Sequence, residues 1–265
     1  MSLSSCARTM AAGLLALLLV GPAAGQPAAE QSAAAPDSTL ALIDSLRVRG
    51  QFRKALTVLQ RLAPDSTRDV SILWRRALMW SDLGRAQRVV ASSDSTIARH
   101  RRALALARRA CELDSTHAWA HLVTALAAGR LTLHTKRGTR IRYSRLVKTH
   151  TDRALALDSA LAPAYHLRGR WHREVADINI IKKTLAKAIY GGLPPASFEQ
   201  SVDDFKQAIA LESKPYNHLE LAKTYLEVGR DSSARAHLQR ALATSGSPFE
   251  DEHRREARAL LDELR

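Results

Sequence analysis

The sequence has little from which a disulfide-linked or β-sheet protein could be built. Its 265 residues include 2 cysteines, Cys6 and Cys111, and aromatic residues make up 5% of the chain. Neither Asn-Gly nor Asp-Gly, the dipeptides typical of tight hairpins, occurs, and no run of strand length alternates polar and apolar residues. Alanine, leucine and arginine, which favour helices, are abundant. The composition therefore predicts an all-helical protein that depends on packing and not on cross-links.

Long apolar runs are also missing, apart from one near the N-terminus. Residues 11–20 form an apolar run of about 10 residues, shorter than the ~20 of a membrane-spanning helix. Arg8 precedes this run and Ala23-Ala24-Gly25 follows it, which is the order of a secretory signal peptide and its cleavage site. We expect residues 1–25 to be removed, residues 26–37 to form a flexible linker, and the mature chain to hold no transmembrane segment. The pattern indicates export, to a bacterial periplasm.

Motifs for catalysis and cofactor binding are absent as well. The sequence contains no Gly-x-Ser-x-Gly, no His-Glu-x-x-His and no Cys-x-x-Cys. His117 and His121 have the i, i+4 spacing that suits a metal ion, but no third ligand lies beside them in the sequence. Cys111, the one cysteine left after export, lies in a helix ending where small apolar residues pack, which indicates a buried, unreactive thiol. We expect no enzyme, no cofactor and no metal site.

Negative charge is scarce, and the positive excess is concentrated in one segment. The formal net charge is +14, and between Arg130 and Arg153 the only acid is Asp152. This segment holds the predicted basic patch, which consists of Lys136, Arg137, Arg140, Arg142, Arg145 and Lys148. Such a field attracts acidic proteins, anionic polymers or lipid headgroups, whereas an arginine-rich composition also solvates ordinary helix surfaces. Both interpretations stay open here, and nothing points to a specific nucleic acid.

An internal repeat predicts the fold. Segments beginning at Ala110, Ala154 and Ala208 share the ending A-x-x-L-[DE]-S, and a shorter copy begins at Ala241. The spacings are 44, 54 and 33 residues. Tetratricopeptide repeats have a period of about 34 residues, so the two longer units are expected to carry insertions between their helices. The last unit is uninterrupted, with its pattern at Leu221, Ala222, Tyr225, Gly229, Ala234, Leu238 and Ala241.

Looser copies of the same pattern precede the last unit. They include large residues at Trp74, Trp119 and Trp171, which we expect in the core, whereas Trp80 lies off the pattern and is expected to be partly exposed. An apolar stripe in residues 251–264 indicates a final capping helix. The predicted fold is therefore all-α, a tetratricopeptide-type helical-hairpin solenoid over residues 38–265. It has about five units with insertions and a C-terminal capping helix.

The fourth and fifth units also resemble a known family. Gly169-Arg170-Trp171, then Gly191-Gly192-Leu193-Pro194, then an acidic helix start at Glu250-Asp251-Glu252 follow the order typical of the regulator of microtubule dynamics family. The resemblance runs from about Ser71 to Leu264. It implies an all-helical repeat fold and, as in the eukaryotic members, association with microtubules. A signal peptide on an alanine- and arginine-rich chain indicates a bacterial, exported member.

Function is predicted to lie on the concave face that the first helix of each unit lines. The residues at free positions there are Arg75, His166, Arg170, Tyr216 and Lys223. Basic and aromatic groups suit an acidic peptide or a carboxylate. The leading hypothesis is a scaffold for a protein or peptide partner of acidic character. The alternative is a basic surface module that docks on an anionic polymer, a membrane surface or a microtubule-like acidic filament.

Overall fold

The regular structure of the chain is helical throughout the part described. A computed structural model describes residues 37–87, 93–179, 182, 184, 187–189 and 191–264, and no strand occurs in these ranges. The predicted signal peptide, and the predicted linker except Asp37, lie outside them. The helices are α1 (Asp37–Val48), α2 (Phe52–Leu62), α3 (Val70–Ala86), α4 (Ser93–Leu113), α5 (Ala118–Thr132), α6 (Arg137–Leu157), α7 (Ala162–Ala176), α8 (Phe198–Leu211), α9 (Pro215–Glu227), α10 (Asp231–Ala243) and α11 (Glu250–Glu263).

Successive helices pair into hairpins, and the hairpins stack. The pairs are α1/α2, α3/α4, α5/α6, α7/α8 and α9/α10, and α11 follows alone. The first helix of each hairpin also packs on a helix of the previous hairpin. This confirms the predicted solenoid of about five units with a C-terminal capping helix. None of the described helices is long and apolar enough to span a membrane.

Two of the predicted insertions take a different form from the one expected. We predicted that the basic segment interrupts the third unit between its helices, but α5 ends at Thr132 and α6 begins at Arg137. The extra residues instead lengthen the second helix, because α4 and α6 each run for 21 residues whereas α10 has 13. The basic patch is therefore the first half of a long helix, and its side chains point in several directions around that helix.

The fourth unit keeps a true insertion between α7 and α8. Residues 187–189 are helical, and Gly191 and Gly192 follow with φ of +73° each. Such a φ favours glycine, so this pair forms the predicted turn between an inserted helix and the next repeat helix. Pro194 and Pro195 then lead to α8, where the Ser197 side chain caps the helix by accepting from the Gln200 backbone N–H at 3.2 Å.

Small residues let the helices of each unit cross closely. Ala110, Ala154, Ala208 and Ala241, the alanines of the shared endings, are all buried. In the last unit Leu238 is fully buried between Ala234 and Ala241, as the repeat pattern predicts. Gly229 has φ of +68° and closes α9, while the next backbone N–H, from Arg230, donates to the Tyr225 carbonyl at 2.9 Å.

Of the three tryptophans predicted for the core, two are buried, and Trp119 is half-buried like Trp80. Trp74 and Trp171 are buried, and the half-buried Trp119 stacks on Trp74 with ring centroids 4.8 Å apart. Trp80 is half-buried, and the Arg102 guanidinium lies over its ring at 4.5 Å. Large aromatic residues thus fill the space between neighbouring hairpins near α3 and α7.

The capping helix does more than cover the last hairpin. It packs on α9 and α10, as predicted, and its leading residue Phe249 also stacks on Phe52 at the start of α2, with ring centroids 5.1 Å apart. Arg85, near the end of α3, lies over Phe249 at 4.2 Å and pairs with Glu252 at 3.3 Å. A cleft of ≈ 530 Å³ remains beside these contacts. The C-terminal end of the stack therefore contacts the first two hairpins.

Candidate functional site

The candidate site is the inner face of the stack, the surface formed by side chains of α1, α3, α5, α7, α9 and α11 that face one another. Charged residues on these helices pair with one another across hairpin boundaries. They form two groups. The Asp82 cluster joins α1, α3 and α5 through Arg47, Asp82 and Arg130. The Glu220 cluster joins α7, α9 and α11 through Arg170, Arg173, Glu220, Lys223 and Glu256.

In the Asp82 cluster, one buried carboxylate receives two arginines. Asp82 is fully buried, Arg47 Nε donates to its Oδ2 at 2.7 Å, and Arg130 Nη2 donates to its Oδ1 at 2.7 Å. Burial raises the pKa of Asp82, but the two guanidinium groups outweigh burial and hold that pKa below its usual range. Arg130 also donates to Ser81 Oγ at 2.9 Å. Each carboxylate oxygen of Asp82 thus accepts a hydrogen bond from an arginine, and the cluster is suited to joining hairpins.

The Glu220 cluster is centred on a second buried carboxylate. Arg173 donates to the Glu220 side chain and, at 2.9 Å, to its backbone carbonyl, so this arginine fixes the carboxylate in place. Lys223 lies 3.3 Å from Glu220 and 2.5 Å from Glu256 of α11. Arg170 Nε lies 3.7 Å from the Glu220 carboxylate, beyond hydrogen-bond distance, and its side chain is 42% exposed. Arg170 is therefore the cation with the weakest partner in this cluster.

The electrostatics of the Glu220 cluster favour an anion. Burial raises the pKa of Glu220, but Arg170, Arg173 and Lys223 outweigh burial and hold that pKa well below its usual range. The carboxylate therefore stays charged at neutral pH, and three cations share it. Glu256 pairs with Lys223 alone of the three cations. Arg170 thus retains positive charge that no carboxylate satisfies fully, at a position open to solvent.

Aromatic and neutral groups line one edge of the Glu220 cluster. His166 Nδ1 donates to the Asn217 side-chain carbonyl at 2.8 Å, and the Asn217 amide N–H donates in turn to the Glu212 carbonyl at 2.9 Å. Burial lowers the pKa of His166 to about 3, so the ring is neutral at pH 7. The Tyr216 ring meets His166 edge-on at 4.7 Å, and burial raises the pKa of Tyr216 to about 12.

The structure brings together four of the five residues predicted for the concave face. His166, Arg170, Tyr216 and Lys223 lie in and around the Glu220 cluster. Arg75 lies instead between α3 and α1, where it pairs with Asp44 at 3.1 Å and covers the Trp74 ring at 4.2 Å. The expectation that these positions are free is wrong for Arg75, His166 and Lys223, because each has an internal partner. Of these residues, Arg170 comes closest to the expected free position.

Sequence reasoning missed the acidic and second basic members of the cluster. Glu220 lies four residues after Tyr216 and three before Lys223, and Arg173 lies three after Arg170. Residues with these spacings share a helix face, so the spacing alone places them with the predicted residues. Asp82 also has a signal, because it is the one acid in α3 and follows the apolar run of residues 77–80 closely.

The motif residues that carry the family resemblance have structural roles. Gly169 lies against the Phe205 ring, which an added Cβ would approach to 3.2 Å. Trp171 is buried and its indole N–H donates to the Ser144 carbonyl at 2.8 Å. Arg145 Nε donates to the Gly192 carbonyl at 2.8 Å, which ties the glycine turn to α6. In the segment Gly169-Arg170-Trp171 the outer two residues have structural roles, and Arg170 alone projects to the inner face.

The predicted basic patch is not one continuous surface. Lys136 and Arg142 are exposed, and exposed Arg140 donates to the Thr132 and Thr135 carbonyls at the end of α5. Arg145 holds the glycine turn, and Lys148 pairs with Asp152 at 2.5 Å. The backbone of Arg137 begins α6, and its side chain lies outside the described part.

A different group of residues comes together where the second and third hairpins meet. The ligand-type atoms of Cys111 on α4, His121 on α5 and His150 on α6 all lie within 4.8 Å of one another. No third ligand lies beside His121 in the sequence, but the fold brings two further ligand-type residues to it from other helices. His117 does not belong to this group. Cys111 itself is half-buried, and burial raises the pKa of its thiol, as expected for an unreactive cysteine.

Comparison with known proteins gives one consistent answer. The family described as regulator of microtubule dynamics protein 1-3 matches residues 39–265. Regulator of microtubule dynamics protein 1 of Bos taurus is 27% identical over 212 residues, which cover 77% of this chain and 64% of the bovine protein. Regulator of microtubule dynamics protein 3 of Xenopus laevis is 27% identical over 195 residues, which cover 72% of this chain and 41% of that protein. The chain spans less than two thirds of the length of these two relatives.

A solved structure supports the architecture. A tetratricopeptide-repeat protein of Thermus thermophilus superposes with a TM-score of 0.61 and 21% sequence identity, covering 84% of this chain and 97% of that chain. At this identity the likeness shows the fold alone. It agrees with the stacked hairpins described above.

Proposed function

The chain belongs to the regulator of microtubule dynamics protein 1-3 family, and on that premise we propose that it is a non-catalytic helical-repeat scaffold. In this proposal the inner face holds an acidic segment of a partner protein. Helical-repeat folds use such extended faces for binding, which supports a protein partner. The absence of catalytic motifs from the sequence supports a role without chemistry.

The observation that carries this proposal is the state of Arg170. Its guanidinium is 42% exposed, and its nearest carboxylate, Glu220, is already engaged by Arg173. An arginine offers several donors in a planar fork that matches a carboxylate. A glutamate or aspartate from a partner can therefore bind this guanidinium, whose ion pair in the described part of the chain is the 3.7 Å contact with Glu220.

The rest of the cluster supports an acidic partner over a basic one. Lys223 and Arg173 add positive charge to the same cluster, and both donate to the Glu220 carboxylate. The neutral His166 and the Tyr216 ring present a half-buried aromatic edge that can pack against an apolar part of the same segment. The predicted partner segment is therefore acidic with a neighbouring apolar side chain.

Binding of a short labelled peptide tests the proposal. A glutamate-rich peptide, with a glutamine-rich peptide of equal length as comparison, is titrated in fluorescence anisotropy. We expect Arg170→Gln to weaken glutamate-peptide binding about tenfold, since a charge-assisted hydrogen bond is lost. Arg258→Gln is the matched control, because exposed Arg258 lies two residues beyond Glu256 and so about 200° around α11 from it. Equal affinities for the two peptides, or equal losses in the two variants, contradict the proposal.

The exposed cations at the start of α6 support a second candidate function. Lys136, Arg140 and Arg142 surround a helix N-terminus with no acidic residue in its first turn. The helix dipole places further positive charge at that end. This arrangement favours docking on an anionic polymer, membrane surface or acidic filament. The names of the relatives make polymerised tubulin the appropriate first probe.

Salt dependence distinguishes the two functions. Co-sedimentation with polymerised tubulin through the basic stretch should fall steeply between about 50 and 200 mM salt, because exposed charges are screened at these concentrations. Lys136→Gln/Arg142→Gln should reduce sedimentation, whereas Arg170→Gln should not. The reverse pattern favours the inner face, and sedimentation unaffected by either variant excludes both surfaces as tubulin sites.

We further propose that the protein acts outside the bacterial cytoplasm, in the periplasm. The order of Arg8, the apolar run and Ala23-Ala24-Gly25 supports this localisation. N-terminal sequencing of the protein from the envelope fraction should give a start near Gln26. A start at Met1 or Ser2 contradicts export by cleavage.

A further inference from the structure

We propose that Cys111, His121 and His150 bind a zinc-type divalent metal ion that clamps the second hairpin to the third. The three side chains come from three helices, α4, α5 and α6, and their sulfur and nitrogen atoms all lie within 4.8 Å of one another. One thiolate and two imidazoles form a set of ligands that suits zinc and related transition metals and does not suit magnesium or calcium. No part of the proposed partner binding depends on this site.

The distances suit a metal after a small adjustment. Zinc–nitrogen and zinc–sulfur bonds of about 2.0–2.3 Å in a tetrahedron separate the ligand atoms by roughly 3.3–3.8 Å. The two Nδ1 atoms of His121 and His150 lie 2.9 Å apart, slightly closer than this, and the thiol lies within 4.8 Å. Cys111 and His150 are half-buried, so their side chains can shift by the required amount and an ion can reach them.

A second contact orients His121 as a metal ligand. Its Nε2 lies 3.1 Å from the Ser115 backbone carbonyl, and a carbonyl oxygen only accepts, so the ring carries its proton on Nε2. In the neutral ring, Nδ1 of His121 is then an acceptor, and it lies 2.9 Å from Nδ1 of His150. In protein metal sites, a ligand histidine is commonly fixed in this way by a carbonyl bonded to its other ring nitrogen.

The protons of the site can be counted before and after the metal binds, starting from two neutral histidines. His150 donates from Nδ1 in the metal-free state and moves that proton to Nε2 through solvent when the metal binds. The thiol of Cys111 loses its proton as the sulfur–metal bond forms. One proton is therefore released for each ion bound.

The charges around the site permit a cation. Glu112 and Asp114 lie one and three residues after Cys111, and Asp114 also interacts electrostatically with His121. Arg108 opposes them from the side of His150. A thiolate, two carboxylates and one guanidinium leave net negative charge for a divalent ion to neutralise.

The fifth hairpin contains the same histidine pair without the cysteine. His218 is the fourth residue of α9, as His121 is of α5, and His237 lies four residues before Ala241, as His150 does before Ala154. The two Nδ1 atoms of His218 and His237 lie 3.0 Å apart. Ile209 follows Ala208 as Cys111 follows Ala110, so the place of the thiol is taken by a hydrocarbon. The fifth hairpin is thus an internal control for a hydrogen-bonded pair alone.

Metal titration of the purified, chelator-treated protein tests the proposal. We expect one Zn²⁺ per chain by calorimetry and no binding of Mg²⁺. Cys111→Ser keeps a hydroxyl for the hydrogen bond to Thr124 and should weaken Zn²⁺ binding at least tenfold, as should His150→Gln. His237→Gln, the matched change in the fifth hairpin, should leave Zn²⁺ binding unchanged. At about a hundred times the Kd, Zn²⁺ should raise the melting temperature of the wild type by roughly 5–10 °C.

The absorption spectrum of the Co²⁺-bound protein is a test that needs no variant. Co²⁺ bound to the wild type should show a sulfur-to-cobalt charge-transfer band in the near ultraviolet, because the thiolate is a direct ligand. Absence of that band, or equal Zn²⁺ affinity in the wild type and Cys111→Ser, overturns the proposal and leaves a hydrogen-bonded histidine pair like that of the fifth hairpin. Loss of binding in His237→Gln but not in His150→Gln likewise overturns it.

Discussion

Asp82 and Arg130 join the second and third hairpins through a hydrogen bond of 2.7 Å between Oδ1 and Nη2, and the Asp82 side chain is fully buried. Arg47 reaches the other carboxylate oxygen from the first hairpin. One acid thus links three successive units of the stack. Removal of a single member leaves buried charge without its partner, which is costly in a protein interior.

We therefore expect Asp82→Ala to lower the free energy of unfolding by about 3–5 kcal/mol, as for other broken buried pairs. Urea unfolding followed by circular dichroism measures the change. Asp203→Ala is the control, because Asp203 is exposed on α8. It should change stability little. Similar losses in both variants would mean that the Asp82 cluster does not join the hairpins.

Leu238→Asp should destabilise the last hairpin strongly. Leu238 is fully buried between α9 and α10, so the substitution places a charge in a packed crossing and removes apolar contacts, at a cost of about 3–5 kcal/mol. Leu211→Asp is the control, since Leu211 is 39% exposed at the end of α8. Thermal melting should separate the two variants by many degrees. An unchanged melting temperature for Leu238→Asp would contradict the register of this unit.

Stability should fall as the pH drops below neutrality. His166 has a pKa of about 3 in the fold because burial disfavours its charged form, against an ordinary value of about 6.5. Between these two values the unfolded chain therefore binds a proton at His166 that the folded chain does not. The stability that the neutral ring contributes is complete above pH 6.5 and is lost as the pH falls toward 3. His100 and His253, with pKa values of about 3 and 4, act with the same sign.

Each such histidine should remove at most about 1.4 kcal/mol per pH unit within that window. Urea unfolding at pH 7.5, 6.0 and 5.0 gives the slope for the wild type. His166→Gln, which retains a donor for Asn217, should show a shallower slope over the same range even if it is less stable at pH 7.5. Parallel slopes in the two proteins would show that His166 is not buried in its neutral form.

Much of this fold could be predicted from local pattern. The endings at Ala110, Ala154 and Ala208 mark second helices because a helix crossing needs small side chains, and that requirement is visible in sequence. The first unit is less clear. Leu42 fits the apolar stripe but is 46% exposed, and the neighbouring Ile43 is buried instead. A weak apolar pattern does not specify which face of a short helix is buried, so the prediction can be wrong by one residue around the helix.

Long-range pairing could not be predicted in the same way. The concave-face prediction found Arg170 and Lys223 because they lie on first helices, but it treated their positions as free. Arg170 of α7 meets Glu220 of α9, and Lys223 meets Glu256 of α11. Asp82 and Arg130 lie 48 residues apart. Cys111 and His150 meet because three helices converge. Such contacts depend on how hairpins stack, and the repeat spacing does not specify that.

The basic stretch of α6 gives the last prediction, because its residues divide into two kinds. Lys136 and Arg142 are exposed, and the one hydrogen bond of Arg142 goes to Thr139 within the same turn. Arg145 is different, because its Nε donates to the Gly192 carbonyl 47 residues away. The charges of Lys136 and Arg142 therefore lie at the surface, whereas the charge of Arg145 stabilises the fold.

We expect Lys136→Gln/Arg142→Gln to leave the melting temperature unchanged or slightly higher. Lys136 lies directly before α6, where the helix dipole disfavours positive charge by a few tenths of a kcal/mol. Arg142 is exposed in the second turn of the same helix. Arg145→Gln should instead lower stability by about 1–3 kcal/mol, because a half-buried carbonyl loses its charged donor and the glycine turn loses its tie to α6. Differential scanning calorimetry of the two variants beside the wild type measures both effects.

The binding readouts then decide what the exposed cations do. If they only solvate the helix, Lys136→Gln/Arg142→Gln should match the wild type with every anionic probe at both salt concentrations. If they dock the protein, the variant should lose affinity for polymerised tubulin and its salt dependence should flatten, while its affinity for the glutamate-rich peptide holds. Because Arg170 lies on α7 and these residues begin α6, loss of peptide binding in this variant would instead show that the two surfaces act as one.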